Sequence, residues 1–209
     1  MRDKYQYHSS LWVGRMSLFN DIVKGLKRAD TSTLGKLAVK VEIHPVSVLR
    51  SLPIIKKGVV SRDRSSKTFS FFILSQLAGS DLNEEVRDLL DIAYEHVADM
   101  DVPTSSTAAE VKCPECGSSI ERDPPVFPAR ITCPGCGTGR WVTLPEDDPS
   151  SLAVSDLHWS LSFIFEMARR GHIVESDGLV EKLELLKRFD SAEIRKMSRS
   201  VLIMISEGK

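Results

Sequence analysis

The chain has 209 residues, 42% of them hydrophobic, and a formal net charge of −1. This length can form one large domain or two to three small ones, each with a hydrophobic core. The composition excludes a membrane-spanning segment in the C-terminal third, because the longest apolar stretch there, residues 157–168, is interrupted by His158, Ser160, Ser162 and Glu166. We therefore expect a soluble globular protein.

The charges are distributed unevenly along the chain. Residues 1–80 contain 14 Lys and Arg against 5 Asp and Glu, whereas residues 81–110 contain 1 against 9. A local positive field attracts phosphates even when the whole molecule is nearly neutral, so the N-terminal part is a candidate for nucleic-acid contact. The alternative is a solvated surface whose charges are simply uneven.

Three helices are predicted in the N-terminal part. Apolar residues at helical spacing indicate a first helix over about residues 15–28, a second over 31–41 and a third that starts at Val46. Pro53 has no N–H and must kink the third helix or stop it near Leu52.

A β-hairpin is predicted to follow, because the polar stretch 61–67 separates the apolar pair Val59-Val60 from the apolar run 69–74. Three helices and a basic-tipped hairpin resemble a winged helix-turn-helix over about residues 15–75. The residues that carry the resemblance are Leu34, Ala38, Ile43, Val48, Leu52 and Gly58-Val59-Val60, with Gly58 ending the third helix and the hairpin serving as the wing.

In the winged-helix family the third helix enters the major groove and the wing reaches the DNA backbone. The resemblance therefore implies two sets of nucleic-acid contacts. The residues implied to face base edges are His44, Ser47, Arg50 and Ser51, and those implied to contact phosphates are Lys56, Lys57, Arg62, Arg64 and Lys67. Such folds also serve as protein-binding modules.

An acidic amphipathic helix is predicted from Asp81, followed by a linker over 99–109 that contains Pro103 and a Thr/Ser run. The predicted apolar face of the helix consists of Leu82, Val86, Leu89, Leu90, Ala93, Tyr94 and Val97. We expect this helix to pack on the N-terminal module or to lead the chain away from it.

The four cysteines of the chain form two pairs, Cys113-Pro114-Glu115-Cys116-Gly117 and Cys133-Pro134-Gly135-Cys136-Gly137. Two thiolates separated by two residues can bind one metal ion from a tight turn, and two such turns supply the four-sulfur tetrahedral shell of structural zinc. The Gly after the second cysteine of each pair can take a positive φ, which lets backbone N–H groups point at the sulfurs. The sequence thus predicts zinc bound by Cys113, Cys116, Cys133 and Cys136, with no open coordination position.

Redox chemistry and disulfide bonding are the competing interpretations of these cysteines. A thioredoxin-like motif normally occurs once, where a strand enters a helix, and that context is missing. Disulfides are typical of secreted proteins, and the N-terminus has no apolar signal segment. We therefore expect a reduced, intracellular protein of the cytoplasm, nucleoid or nucleus.

Strands are predicted at 118–122, 129–132 and 140–144, with the Pro-rich loop 123–128 joining the first two and Trp141 covering a small core. The alternative is that Trp141 forms a basic and aromatic surface for nucleic acid or a partner protein, together with Arg122, Arg130 and Arg140. Three helices follow. The first runs from a Ser155 cap to Gly171, the second through Leu179 to Phe189, and the third starts from a capping box at Asp190-Ser191-Ala192-Glu193.

These elements predict an α+β, mainly helical fold. Its predicted parts are a winged-helix-like basic domain at 1–80, an acidic helix and linker at 81–110, a zinc ribbon at 111–145 and C-terminal helices at 146–209. We expect no enzyme, since the chain has no phosphate-binding Gly loop and no Ser nucleophile elbow, and its five histidines are dispersed. A catalytic site assembled from distant residues is the remaining alternative.

The order of a winged module followed by a zinc ribbon is similar to the general transcription factor E family. This chain departs from that family by its three C-terminal helices and by Pro53. The resemblance implies a non-enzymatic factor that associates with nucleic acid, DNA in preference to RNA, and docks on a larger complex of the transcription or replication type. The alternatives are an adaptor that contacts only proteins and a subunit of a ribonucleoprotein assembly.

Overall fold

The computed structural model describes residues 52–53, 55–79, 83–102, 108–113, 115–142, 149–173 and 176–207, apart from the side chains of Arg130, Arg140, Trp141 and Asp177. The helices and strands in these ranges are α1 (Arg64–Ala78), α2 (Asn83–Val86), a 3₁₀ turn (Arg87–Leu89), α3 (Leu90–Asp99), β1 (Ala109–Lys112), β2 (Ser119–Arg122), β3 (Ala129–Thr132), β4 (Gly139–Val142), α4 (Pro149–Arg169), α5 (Asp177–Leu186) and α6 (Ala192–Glu207). The predicted mainly helical α+β class is confirmed. None of the helices in these ranges is long and apolar enough to cross a membrane.

The predicted wing is wrong, because residues 64–78 form the helix α1 and not a strand of a hairpin. Asp63 is the N-cap of α1, and its carboxylate accepts a hydrogen bond of 3.0 Å from the Ser66 backbone N–H. Residues 68–75 are buried on every side of the helix, so the sequence shows no helical alternation in this segment. The described residues therefore do not support the winged-helix resemblance. His44, Ser47, Arg50 and Ser51, with the first two predicted helices, lie outside the described residues.

Gly58 lies inside the helical stretch 55–59 and does not end a helix at its own position. A Cβ at this residue would lie 3.2 Å from Ser70 Cβ and 3.3 Å from the Ser66 carbonyl oxygen. The glycine is therefore required for close approach of this stretch to α1.

One hydrophobic core joins the helices on both sides of the ribbon. α1 packs along α4, α3 contacts α4 and α5, and α6 contacts α4 and α5. Aromatic side chains occupy the contact between α1 and α4: the ring centroids of Phe71 and Phe163 are 6.3 Å apart, and Phe72 meets Trp159 edge-on at 4.7 Å. This core extends from Leu52 to Ile205, so residues of the predicted 1–80 and 146–209 parts share it.

The predicted acidic helix is divided by the 3₁₀ turn into α2 and α3. Its apolar face is confirmed at each described position, because Val86, Leu89, Leu90, Ala93, Tyr94 and Val97 are all buried. Leu82 lies outside the described residues.

The C-terminal helices are present, but two of their predicted caps are different. α4 begins at Pro149, and Ser155 lies inside it, where its hydroxyl donates to the Ser151 carbonyl at 2.6 Å. Gly171 takes φ +86° just beyond the end of α4, as expected of a helix C-terminus. α6 is capped by Ser191, whose Oγ accepts from the Ile194 N–H at 3.4 Å, and not by Asp190.

The ribbon consists of two antiparallel hairpins, β1–β2 and β3–β4. Each cysteine pair forms the turn of its own hairpin. The sequence prediction placed no strand at 109–112 and assigned residue 109 to a linker, whereas β1 occupies Ala109–Lys112 and pairs with β2. The physical reason is that the Cys-x-x-Cys-Gly segment is itself a tight turn, whereas the Pro-rich loop 123–128 connects the two hairpins.

Candidate metal centre

The four predicted ligands converge at the tips of the two hairpins. All four sulfur atoms lie within 4.8 Å of one another. The Sγ atoms of Cys113 and Cys136 are 3.8 Å apart, and those of Cys116 and Cys133 are 3.5 Å apart. A tetrahedral shell with Zn–S bonds of about 2.3 Å requires sulfur–sulfur separations of about 3.8 Å. The cluster therefore has the donor type, number and spacing to hold a zinc-sized metal ion.

The two turns repeat the same backbone geometry. The N–H of Gly117 donates to the Cys113 carbonyl at 2.8 Å, and the N–H of Gly137 donates to the Cys133 carbonyl at 2.9 Å. Both glycines have positive φ, +71° and +70°, as predicted. Each hairpin is closed by a further bond, from Cys113 N–H to the Ser118 carbonyl and from Cys133 N–H to the Thr138 carbonyl. This repetition places the sulfurs of one hairpin opposite those of the other.

Cys116 and Cys136 are the exposed cysteines of the cluster, and a hydroxyl group next to each favours the ionised thiolate. Ser118 Oγ lies 3.2 Å from Cys116 Sγ, and Thr138 Oγ1 lies 3.3 Å from Cys136 Sγ. The side-chain hydrogen bond with Ser118 lowers the pKa of Cys116 to about 6, and that with Thr138 lowers the pKa of Cys136.

The pKa of Cys133, the buried cysteine of the second hairpin, is shifted in the opposite direction. The backbone amide of Cys136 lowers the pKa of Cys133, but burial and the sulfurs of Cys116 and Cys113 together raise it to about 11. Four thiolates in such close contact repel one another, so a divalent cation is required to ionise all four.

Gly135 is a residue of this centre that the sequence prediction missed. A Cβ at this position would lie 3.2 Å from Ser118 Cβ and 3.4 Å from Cys116 Sγ, which belong to the other hairpin. A side chain would push the two turns apart. The sequence could have indicated this requirement, because the two cysteine pairs differ at this position: the second turn has Gly135 where the first has Glu115.

The ribbon is attached to the helical core through the loop 123–128. Phe127 N–H donates to Ser155 Oγ at 2.9 Å, and Trp159 Nε1–H donates to the Phe127 carbonyl at 2.8 Å. The Phe127 ring is fully buried in a small core with Ala109, Ala129 and Ile131. The side chain of Trp141, which was predicted to cover this core, lies outside the described residues. Sequence reasoning did not identify Ser155 or Trp159 as attachment residues, because both lie in an ordinary helical pattern.

The predicted phosphate-contacting residues fall into two groups. Lys56 and Lys57 lie on the helical stretch 55–59. Arg62, Arg64 and Lys67 line one groove, and the same groove is lined by Glu95, Asp99 and Asp101. The structure thus brings three predicted cations together, but it places acidic side chains in the same groove.

In comparisons with protein-family models, curated proteins and solved structures, no match to this chain was found. The functional conclusions below therefore depend on the sulfur cluster and on the distribution of charge.

Proposed function

We propose that this chain is a non-enzymatic zinc-ribbon factor. The observation that carries the proposal is the convergence of four sulfur atoms at tetrahedral spacing. Bound zinc holds the two hairpin tips together and activates no water, because four cysteines leave no open coordination position. The ribbon then serves as a rigid projection on the helical core.

The proposed partner of the basic part is nucleic acid, DNA in preference to RNA, within a larger intracellular complex of the transcription or replication type. The support is the excess of positive charge in residues 1–80 and the clustering of Arg62, Arg64 and Lys67 at the start of α1. A helix N-terminus adds a partial positive charge next to these side chains.

A second candidate function is an adaptor that contacts only proteins. The observation that favours it is the presence of Glu95, Asp99 and Asp101 in the groove of the three cations. Acidic side chains at this position weaken the positive field that phosphates require.

Elemental analysis of the purified full-length chain tests the zinc part of the proposal. We expect stoichiometric zinc in the wild type and its loss in Cys133→Ser, because three sulfurs cannot complete the shell. Ser119→Ala is the matched control, since Ser119 lies next to the first turn but is not a ligand. Absence of zinc from the wild-type protein contradicts the proposal.

A gel-shift series in increasing salt tests the nucleic-acid part. We expect the affinity for duplex DNA to fall steeply with added salt and to fall in the variant R62A/R64A/K67A. The control R188A/K196A/R199A removes one cation from the turn after α5 and two from α6, and it should bind like the wild type. Equal loss in both variants, or no binding at any ionic strength, rejects nucleic-acid contact at this surface and supports the adaptor.

A further inference from the structure

A groove of about 430 Å³ lies where the start of α1, the end of α3 and the first half of α4 meet. Cavities of this size accommodate small ligands. The residues that surround it come from 59–67, from 92–101 and from Ala153 and Asp156 of α4. The groove is separate from the sulfur cluster.

Side chains of opposite charge face this groove from two segments of the chain. The cations are Arg62, which precedes α1, and Arg64 and Lys67, which lie at its start. The acids are Glu95 and Asp99, which lie in the second half of α3, and Asp101, which follows that helix. In the described part of the chain, no ion pair joins a cation of the first set to an acid of the second. The two sets therefore do not neutralise each other through direct ion pairs.

The ends of two helices add partial charges of the same sign beside each set. α1 begins at Arg64 and α3 ends at Asp99, so a partial positive charge lies beside the cations and a partial negative charge beside the acids. The end of α3 already accepts a cation, since the Lys182 ammonium group donates to the Met100 carbonyl.

A chain of polar groups that starts at the buried Asp156 contacts Lys67 at the groove. Asp156 is only 2% exposed, and its Oδ1 lies 3.4 Å from His96 Nε2. His96 Nδ1 lies 3.5 Å from Lys67 Nζ, and the His96 ring stacks on Phe71 at 5.0 Å. A buried carboxylate requires a compensating charge, which Lys67 supplies through the imidazole. Asp156 and His96 therefore act as positioning residues for the Lys67 ammonium group.

Apolar side chains line the groove among the charged ones. They are Val59, Val60, Ile92, Met100 and Ala153. Val60 is 63% exposed. A hydrocarbon chain placed in the groove would cover this surface.

We propose that this groove binds a small zwitterionic ligand, in which an anionic carboxylate or phosphate group and an ammonium group are joined by a short hydrocarbon chain. The anionic group contacts Arg62, Arg64 and Lys67, the ammonium group contacts Glu95, Asp99 and Asp101, and the hydrocarbon chain lies on Val60 and Ile92. This site is additional to the proposed zinc ribbon and does not depend on nucleic-acid binding.

Calorimetric titration of the full-length, zinc-loaded chain tests the proposal with ε-aminocaproate as the probe. Hexanoate and hexylamine carry one of the two charges on a chain of the same length. We expect ε-aminocaproate to bind about two- to fivefold more tightly than either, the gain from one further exposed ion pair. Phosphoethanolamine, compared with 4-aminobutyrate, which has the same number of atoms between its charged groups, shows whether phosphate or carboxylate is preferred.

Two double variants separate the ends of the ligand. Arg62→Gln with Arg64→Gln should weaken the binding of ε-aminocaproate and hexanoate but leave the binding of hexylamine unchanged. Glu95→Gln with Asp99→Asn should weaken the binding of ε-aminocaproate and hexylamine but leave the binding of hexanoate unchanged. The charge-matched controls are Arg188→Gln with Arg199→Gln and Glu181→Gln with Asp190→Asn, which lie outside the groove.

Any of three results overturns the proposal. Hexanoate or hexylamine binds as tightly as ε-aminocaproate, both groove variants bind ε-aminocaproate as the wild type does, or no zwitterion binds in the millimolar range. Nucleic-acid contact is judged separately, because it requires the cations but not Glu95 and Asp99. The acidic double variant should therefore leave DNA binding intact or strengthen it.

Discussion

Gly117 and Gly137 occupy the same place in the two cysteine turns, and both have φ near +70°. A Cβ at either residue would meet nothing within 4 Å, so the requirement for glycine comes from the backbone alone. An L-residue in this conformation costs roughly 1 to 2 kcal/mol. An alanine at either position therefore introduces backbone strain without steric crowding.

We predict that Gly117→Ala and Gly137→Ala each lower the free energy of unfolding of the ribbon by about 1 to 2 kcal/mol and weaken zinc binding accordingly. The measurement is a competition titration of zinc against a chromophoric chelator. Gly79→Ala is the control, because Gly79 has φ −78° and the nearest atom to its added Cβ is 3.5 Å away. A loss in Gly79→Ala equal to that at the two turn positions would show that backbone φ is not the cause.

His158 is a buried titratable residue of α4. It is 5% exposed, and its Nδ1 makes no hydrogen bond within the described ranges. Its Nε2 lies 3.5 Å from Ser162 Oγ, and its ring meets Trp159 edge-on. Burial, and secondarily the charge of Arg122, lowers the pKa of His158 from 6.5 to about 4.

This lowered pKa predicts a pH-dependent stability. Between pH 6.5 and about 4 the unfolded chain binds a proton at His158 that the folded chain does not, so stability falls as the pH decreases through this window. The full loss is about 3 kcal/mol and is absent above pH 6.5. Urea unfolding at a series of pH values should show a shallower acid dependence in His158→Gln than in the wild type. Protonation of the cysteines affects both proteins equally, so identical pH profiles would contradict the assignment.

The loop 123–128 shows how one element is positioned by another. The hydrogen bonds that join it to α4 run from Phe127 N–H to Ser155 Oγ, from Trp159 Nε1–H to the Phe127 carbonyl and from Ser155 Oγ to the Pro125 carbonyl. Ser155 Oγ also donates within its own helix, to the Ser151 carbonyl. A serine that looks like a helix cap in the sequence is thus the acceptor that joins the ribbon to α4.

We predict that Ser155→Ala destabilises the protein by about 1 to 3 kcal/mol, because the buried Phe127 N–H loses its acceptor. Hydrogen exchange at the Phe127 amide should accelerate together with the decrease in the urea midpoint. Ser198→Ala is the control, since that buried hydroxyl donates only to the Ile194 carbonyl of its own helix. Equal destabilisation in the two variants would mean that the attachment of the loop does not depend on Ser155.

α1 is the element that sequence reasoning assigned to the wrong class. Its run Phe69-Ser70-Phe71-Phe72-Ile73-Leu74 is rich in aromatic and β-branched residues, which favour strands. The helix forms because α4 covers one side and the stretch 55–59 and α3 cover others. Burial on all sides removed the periodicity that distinguishes a helix from a strand.

At the scale of the whole molecule, the two hydrophobic cores differ greatly in size. The ribbon core consists of Ala109, Phe127, Ala129 and Ile131, whereas the helical core includes side chains from each of the helices α1 to α6. So small a core cannot offset the entropy of ordering the ribbon without a metal. The helical core does not share this dependence.

We predict that zinc removal by a chelator under reducing conditions unfolds the two hairpins and leaves the helices folded. Amide exchange of residues 109–142 should become fast, while the far-ultraviolet circular dichroism of the helices changes little. Cys133→Ser should reproduce this state without chelator. Loss of the helical signal together with the ribbon would show that the two cores unfold as one unit.

The sequence by itself determined the four candidate metal ligands, the positive φ of Gly117 and Gly137, the buried face of α3 and the approximate positions of the C-terminal helices. Each of these depends on neighbours a few residues away: ligand spacing within a turn, or apolar residues repeated at helical intervals. Only the tertiary structure decided that 64–78 is a helix, that each cysteine turn closes its own hairpin, that Ser155 and Trp159 hold the ribbon and that charges of both signs share one groove. Those features depend on contacts between residues far apart in the chain, which local propensity and spacing do not encode.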